Sequence, residues 1–433
     1  MLNELKATCG RNRRVLGSFL SLSIVQFANY LAPLVTLPYL FRVLGPAKFG
    51  LVELARVITV YFLFLTDYSF GLSATREISI RRNDPARISE VFSAVLVLRF
   101  LLVVLSAAIL SAAVWTLPKL RPDWPVYYLS FGHVLGMWLF PVWLFQGLER
   151  MKHIATLTVV SKTLVIAGIF LIVRRQEDYL YVPLLQSSGA VFVGLAGLAI
   201  AIRSFGVRFR LPPSAMLKRE FLDGWHLFVS KMATTMYTTS NTLILGLFTD
   251  LTFVGYYAAG DKIVRAVQGL QLPLSQAIFP HIGRLASQSR RAALAYTGKI
   301  TRLVSVATLA MSAGLFFGAP FITRVVQGQA SPEGTAVIRI LSFLPFIIGL
   351  SNMFGVQVMV NFGLQKTLTR VLLAAGVLNI LVALLLVMPL KHVGVATAAV
   401  TTETFVTVAL FLALHRNGLD VFRAARTESF DGR

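Results

Sequence analysis

The sequence predicts an all-α polytopic membrane protein of about twelve transmembrane helices, arranged as two six-helix lobes. Three observations carry that prediction. Of the 433 residues, 56% are hydrophobic and only 14% are charged, where a soluble domain carries roughly 25% charged residues. Mean hydropathy is +0.72, and apolar runs of about 20 residues, the length that crosses a bilayer, recur from end to end. Segments of about ten residues with alternating polarity, which a membrane barrel needs, do not occur in the sequence.

The spans read as 16–40, 50–73, 91–115, 126–147, 154–173, 179–202, 221–248, 253–279, 299–320, 336–361, 368–389 and 393–415. The first follows Arg11, Arg13 and Arg14, exceeds a signal-peptide core in length and lacks a small-residue cleavage pattern, so it is expected to be retained. With the N-terminus inside, about 26 of the 41 lysines and arginines fall in cytoplasmic segments, about 8 in the opposite loops and about 7 within spans. One cytoplasmic loop holds Arg76, Arg81, Arg82 and Arg87, and another Arg203, Arg208, Arg210, Lys218 and Arg219. This bias places both termini in the cytoplasm and supports an even number of crossings. It also accounts for the formal charge of +22 without nucleic acid as a partner. Cys9 is the only cysteine and the six histidines are scattered, so no disulfide, metal site or cofactor is expected. The longest loops are about 20 residues, too short to bury a core, and function is therefore expected within the lipid bilayer or at its mouth.

An offset of 205 residues carries the second half onto the first. Phe49-Gly50 meets Val254-Gly255, and Arg56 meets Asp261. The polar stripe Gln26, Asn29, Pro33 and Thr36 of span 1 meets Lys231, Thr234, Thr238 and Asn241 of span 7. Each stripe lies on one helix face, and a polar face is costly against lipid, so both are expected to line an interior. Six spans per half make the repeat parallel, related by an axis along the membrane normal. The lobes read as 1–210 and 211–433, the outline of an alternating-access transporter.

Charges inside spans are expensive and mark functional positions. The candidate bases are Arg56, Arg99, Lys162, Lys231, Lys262 and Arg265, and the candidate acids are Glu53, Asp67, Asp261 and Glu403. Asp261 and Arg265 are four apart with the acid first, the favourable order for a helical ion pair, and Glu53 with Arg56 is a second pair. One reading is structural, with satisfied pairs holding the bundle. The other uses the excess of bases: Arg forks onto phosphate oxygens and Lys adds compact charge, so a lumen lined by these six bases suits a phosphate or pyrophosphate head group. Asp67 and Glu403 suit either coupling to a proton or sodium gradient or, for Asp67, pairing with Arg76.

Prolines 33, 38, 141, 273, 280, 320 and 345 remove helix hydrogen bonds and permit kinks. Gly132-x-x-x-Gly136 and Gly314-x-x-x-Gly318 read as close helix packing. Trp115, Trp124, Tyr127 and Tyr128 read as an interfacial belt or as a platform for sugar rings.

Four stretches resemble a known family. They are LPYLFRVLGPAKFG (37–50), DYSFGLSATREISIRRND (67–84), PVWLFQGLERMKHIATLTVVSKT (141–163) and EDYLYVPLLQSSG (177–189). They are similar to the Wzx-type O-antigen and polysaccharide repeat-unit flippases of the MOP superfamily, over roughly residues 15–200. Arg42, Gly45, Phe49 and Gly50 match the first motif, Asp67, Gly71, Thr75 and Arg76 the second, and Gln146, Gly147, Glu149 and Lys162 the third. The resemblance implies a V of two six-helix lobes around a cationic cavity. It implies an undecaprenyl-pyrophosphate-linked oligosaccharide as substrate, flipped from the cytoplasmic to the periplasmic leaflet of the bacterial inner membrane and driven by a proton or sodium gradient or the membrane potential. A polysaccharide polymerase and a chain-length regulator are the implied partners.

Other classes fit less well. A multidrug extruder of the same superfamily typically moves cations and calls for an acidic interior. A membrane polymerase, ligase or glycosyltransferase calls for a large external loop or an Asp-x-Asp metal site, whereas Asp123 and Asp178 stand isolated in short loops. The chain is therefore not expected to be an enzyme. A scaffold leaves the interior charges unexplained.

Overall fold

The computed structural model describes residues 2–421; for 2–32, 219, 223, 226, 227 and 229–238 it describes the helical path and not the side chains. Every regular element among the described residues is helical. The chain forms two compact units, Met1–Met232 and Ala233–Arg433, dividing within one helix.

The first unit opens with α1 (Leu2–Asp67), broken at Gly45, whose φ of 70° needs a residue without a Cβ. Pro46, which has no amide to donate, follows at once, and the rings of Phe41 and Phe49 meet 5.4 Å apart across the break. Tyr68 and Ser69 then turn with φ of 43° and 66° before α2 (Phe70–Ile80). Next come α3 (Pro85–Thr116), α4 (Trp124–Leu139), α5 (Val142–Gly147), α6 (Met151–Ile172), α7 (Tyr181–Phe205) and α8 (Ser214–Phe248). The second unit continues with α9 (Leu251–Gly269), α10 (Leu272–Gln288), α11 (Arg290–Gln327), α12 (Pro332–Leu341) and α13 (Leu344–Asn352). A π-helical stretch, Met353–Val360, leads to α14 (Gln365–Arg416), which breaks at Lys391 (φ 50°, ψ −125°). A Cβ on Gly394 would sit 2.3 Å from the Leu386 carbonyl oxygen. A continuous helix would carry those residues about 12 Å apart, so α14 is a tight hairpin.

Among the described residues, eight helical stretches are long and apolar enough to cross a membrane, and two of them contain the Gly45 and Lys391 breaks. With α8 and α9 these elements are consistent with twelve crossings. The surface agrees with lipid as solvent. On α3, Phe100, Leu101, Val104, Leu105 and Ile109 are exposed, while Ser89, Ser93 and Ser106 are buried. That inversion follows because lipid gives no hydrophobic drive to bury leucine, and small residues let helices approach.

The internal repeat is visible in the helix limits. The 205-residue offset carries the Gly45 break onto Asp250, which lies between α8 and α9, and Asp84 onto Ser289. Asp84 and Ser289 cap α3 and α11 in the same way, each accepting from the amide three residues on. Three expected prolines sit at breaks: Pro141 between α4 and α5, Pro273 at the start of α10 and Pro345 at the start of α13. Pro33, Pro38, Pro280 and Pro320 lie inside helices.

The two glycine motifs behave differently. Gly136 presses on α7, where a Cβ would lie 2.3 Å from the Ala190 carbonyl carbon, and a Cβ on Gly132 would touch Ser187 at 2.9 Å. Gly314 has nothing within 4 Å and Gly318 meets only its own Ile322, so among the described residues the second motif is not a helix contact. The aromatic cluster also divides. Trp115 and Trp124 are exposed, but Tyr127 is buried at 2% and belongs to the core, because it falls on the inner face of α4 beside Val126.

The family stretches pair up within the first unit. The Thr75 hydroxyl donates to the Trp143 carbonyl (3.2 Å), Gly147 packs on Ile78, and Arg82 pairs with Glu149 at 2.7 Å, which joins α2 to α5. Lys48 pairs with Asp123 at 3.4 Å and lies 4.1 Å over the Tyr179 ring. Arg76 is exposed and makes no ion pair among the described residues, so the expected partnership with Asp67 is absent.

Candidate functional site

The richest polar arrangement lies in the second unit. Asp250 caps α9 by accepting from Thr252 N at 2.8 Å. From there Tyr257, Asp261 and Arg265 follow at four-residue spacing, one row along the helix. The Arg265 Nε donates to Asp261 Oδ2 at 2.6 Å, with the arginine side chain 48% exposed and the carboxylate 15%. Glu403, on the second half of α14, comes close enough to Arg265 for their charges to interact. Tyr257 is buried and lies against Asn241 of α8, whose Oδ1 is buried without a hydrogen-bond partner. Lys262 sits next along α9, half-buried and engaged.

Beside this row runs a buried hydrogen-bond chain that sequence reasoning missed. Ser240 Oγ donates to Asn379 Oδ1 (3.1 Å), Asn379 Nδ2 to Thr402 Oγ1 (3.2 Å), and that hydroxyl to the Ala398 carbonyl (2.8 Å). It ties α8 to both halves of α14. A second missed network joins α10 to the π-helical stretch: Gln357 Nε2 donates to Ser275 Oγ (2.9 Å), which donates to Asn352 Oδ1 (2.8 Å). The available signal was a lone amide in an apolar run, Asn379 or Gln357.

In the first unit the expected residues are dispersed. Glu53 is buried and receives Arg56 Nε at 2.7 Å, with Arg56 42% exposed. Removing the arginine takes an ion-pair partner from a buried carboxylate. Arg56→Ala is expected to lose about 2 kcal/mol and Glu53→Gln/Arg56→Ala to recover most of it; thermal unfolding in detergent measures both, and equal loss in the two variants would count against the pair. Arg99, 5% exposed on α3, donates to the Met137 carbonyl at 2.9 Å, and its Nε is buried without a partner. Asp67 lies within electrostatic reach of it. Lys162 of α6 is half-buried and close to His133 of α4. The side chains of Gln26, Asn29, Lys231, Thr234 and Thr238 lie outside the described residues. The structure thus brings together Asn241, Asp261, Arg265 and Glu403 in one unit, and Glu53 with Arg56 and Asp67 with Arg99 in the other.

An arginine held at one edge by a carboxylate still has guanidinium N–H groups for a planar or phosphate-like oxyanion. A carboxylate near an arginine can also exchange a proton or cation. Both are binding chemistry. The geometry contains no nucleophile–base pair among these groups.

The sequence profile of the polysaccharide biosynthesis protein family matches residues 15–286. A relative from Escherichia coli (strain K12), provisionally named an O-antigen transporter, is 30% identical over 398 residues, 92% of this chain and 96% of its own. A relative of the same provisional name from Shigella dysenteriae is 26% identical, over 92% and 99% of the two chains. Among solved structures, an inward-facing multidrug-resistance MATE transporter of the MOP superfamily superposes with a TM-score of 0.67 at 14% identity, covering 94% of this chain and 99% of that one. The lipid II flippase MurJ, in an inward closed conformation, gives 0.62 at 12% identity, covering 96% and 92%. The chain shares the fold of these two solved structures.

Proposed function

Because the chain belongs to the polysaccharide biosynthesis protein family, we propose that it flips a lipid-linked polysaccharide repeat unit across the membrane in which it sits. The substrate of this reading is an undecaprenyl-pyrophosphate-linked oligosaccharide, moved from the cytoplasmic to the periplasmic leaflet of a bacterial inner membrane. The near full-length match to relatives named for O-antigen transport carries the reading. The excess of bases over acids within the spans supports it, since the pyrophosphate is the part of the substrate that apolar helices cannot hold.

In this mechanism Arg56, Arg99, Lys162, Lys231, Lys262 and Arg265 draw the pyrophosphate into a cationic cavity that opens alternately to each leaflet. Glu53, Asp67, Asp261 and Glu403 set the charge balance, and Asp67 and Glu403 couple the cycle to a proton or sodium gradient. The glycan passes along the polar stripe Gln26, Asn29, Thr234, Thr238 and Asn241. Both termini lie in the cytoplasm, and the exported unit goes on to a polymerase with its chain-length regulator.

Cells that make the cognate glycan but lack this protein test the reading. Complete lipid-linked units are expected to accumulate facing the cytoplasm and to clear when the gene is restored. If single units still reach the surface and only long chains are missing, the protein is a polymerase. If lipid-linked units are unaffected and only cationic drugs accumulate, it is a multidrug exporter on the same fold.

A further inference from the structure

The segment joining α7 to α8 takes no part in the transport reading. Gly206 ends α7 with φ of 64°, and residues 206–213 run without helix. An extended segment leaves amides that need acceptors. Two are met by hydroxyls of α3: Arg208 N donates to Ser89 Oγ at 3.1 Å and Arg210 N to Ser93 Oγ at 2.9 Å. The serines in turn donate to the carbonyls of Pro85 and Ser89, at 2.8 and 2.7 Å. Ser89 and Ser93 lie about 6 and 12 Å along the helix from Pro85. The strap is therefore pinned over the first turns of α3, a helix long and apolar enough to cross a bilayer.

The strap's side chains suit the end of such a helix. Val207 is buried at 3%, but Phe209 is 55% and Leu211 86% exposed. Arg208 and Arg210 alternate with them and are exposed, as are Arg203 at the end of α7 and Lys218 at the start of α8. These four cations make no ion pair among the described residues. Among the described residues, the nearby Glu77 and Glu90 are held by Arg87, at 2.9 and 2.8 Å. Arg210, Leu211, Pro213 and Met216 face Arg87 and Glu90 across an open groove of about 450 Å³. On α8, Phe221 and Phe228 stack on Tyr68 at 4.5 and 4.6 Å, which turns Leu222 and Trp225 outward, 56% and 48% exposed.

We propose that this strap is a binding site for anionic phospholipid of the surrounding bilayer. Phe209, Leu211 and Trp225 sit at the acyl boundary, and Arg203, Arg208, Arg210 and Lys218 meet the head-group phosphates. Zwitterionic lipid satisfies the apolar half alone. A cluster of uncommitted cations beside it selects a lipid of net negative charge, each cation adding about fivefold in affinity.

The test titrates the purified full-length protein with phosphatidylglycerol and phosphatidylcholine and counts bound lipid by native mass spectrometry. Phosphatidylglycerol is expected to bind in preference, and more weakly as salt rises. Arg208→Gln/Arg210→Gln is expected to lose about 25-fold in that affinity. Arg208→Lys/Arg210→Lys, which keeps the charge, retains most of it, and Arg324→Gln, at an exposed arginine in the last turn of α11, leaves it unchanged. Equal binding of the two lipids, no loss in the Arg208→Gln/Arg210→Gln variant, or an equal loss with Arg324→Gln would overturn the proposal. The unaltered protein gives a second measurement: phosphatidylglycerol vesicles should protect Arg208 and Arg210 from phenylglyoxal and phosphatidylcholine vesicles should not. Equal protection by both, or none by either, would overturn it as well.

Discussion

Leucine at position 136 is expected to leave no stably folded N-terminal unit. A Cβ there would lie 2.3 Å from the Ala190 carbonyl carbon and 2.5 Å from the Val191 nitrogen, and a Cβ on Gly194 would lie 2.4 Å from the Gly136 oxygen. The obstacle is backbone on both sides, which cannot rotate away as a side chain can. The helices α4 and α7 would have to separate. Separation also breaks the bond from Ser187 Oγ to the Leu129 carbonyl (2.6 Å) and empties the contact at Gly132. Within lipid these contacts are the main source of helix association. Overpacking a well-filled interior costs about 1–3 kcal/mol, and a backbone-on-backbone clash belongs above that range. Gly136→Leu is therefore expected to abolish the monodisperse peak in detergent, and Gly136→Ala to lower the thermal midpoint. Gly314→Leu, with open space around it, should behave as wild type. A wild-type midpoint for Gly136→Leu would show that α4 and α7 do not meet this way.

The same contrast shows what could be read from sequence. Both Gly-x-x-x-Gly motifs have the spacing of a helix contact, and only the structure tells which one meets a neighbour. Breaks with a proline beside them, at Pro141, Pro273 and Pro345, were visible in advance. The break at Tyr68–Ser69 was not, because neither residue favours a positive φ. Tertiary packing imposes it: Tyr68 is held between the rings of Phe221 and Phe228, more than 150 residues away in sequence. The family stretches stood out because they form tight joints, such as Thr75 with Trp143 and Arg82 with Glu149, where few residue types fit. The paired charges Glu53–Arg56 and Asp261–Arg265 were legible because both members share a helix. The chain Ser240–Asn379–Thr402 was not, since its first two members lie 139 residues apart and each looks like an isolated polar residue in an apolar run.

The charges on α9 allow the sharpest division between transport and architecture. Arg265 is bound to Asp261 at 2.6 Å, and Glu403 is near it, so its positive charge is already met in part by carboxylates. If the pair only holds the unit together, removing either member costs the other its shortest ion-pair contact. Arg265→Ala and Asp261→Asn should then lower protein level and thermal stability alike, and the double variant should restore both. If the guanidinium also takes the pyrophosphate, the two substitutions part company. Arg265→Ala should cut exported glycan about tenfold or more, the effect of losing one charge-assisted hydrogen bond, at a protein level close to wild type. Arg265→Lys, which keeps the charge and loses the fork, should fall between. Asp261→Asn keeps the guanidinium in place and should leave export near wild type. Lys262→Ala should weaken export, since the lysine is half-buried beside the same row. The proposed role of these bases is sunk if Arg265→Ala and Lys262→Ala export normally while stably inserted. Export lost in Arg265→Ala and regained in Asp261→Asn/Arg265→Ala would assign the row to structure, and the pyrophosphate would have to be held by the bases of the first unit.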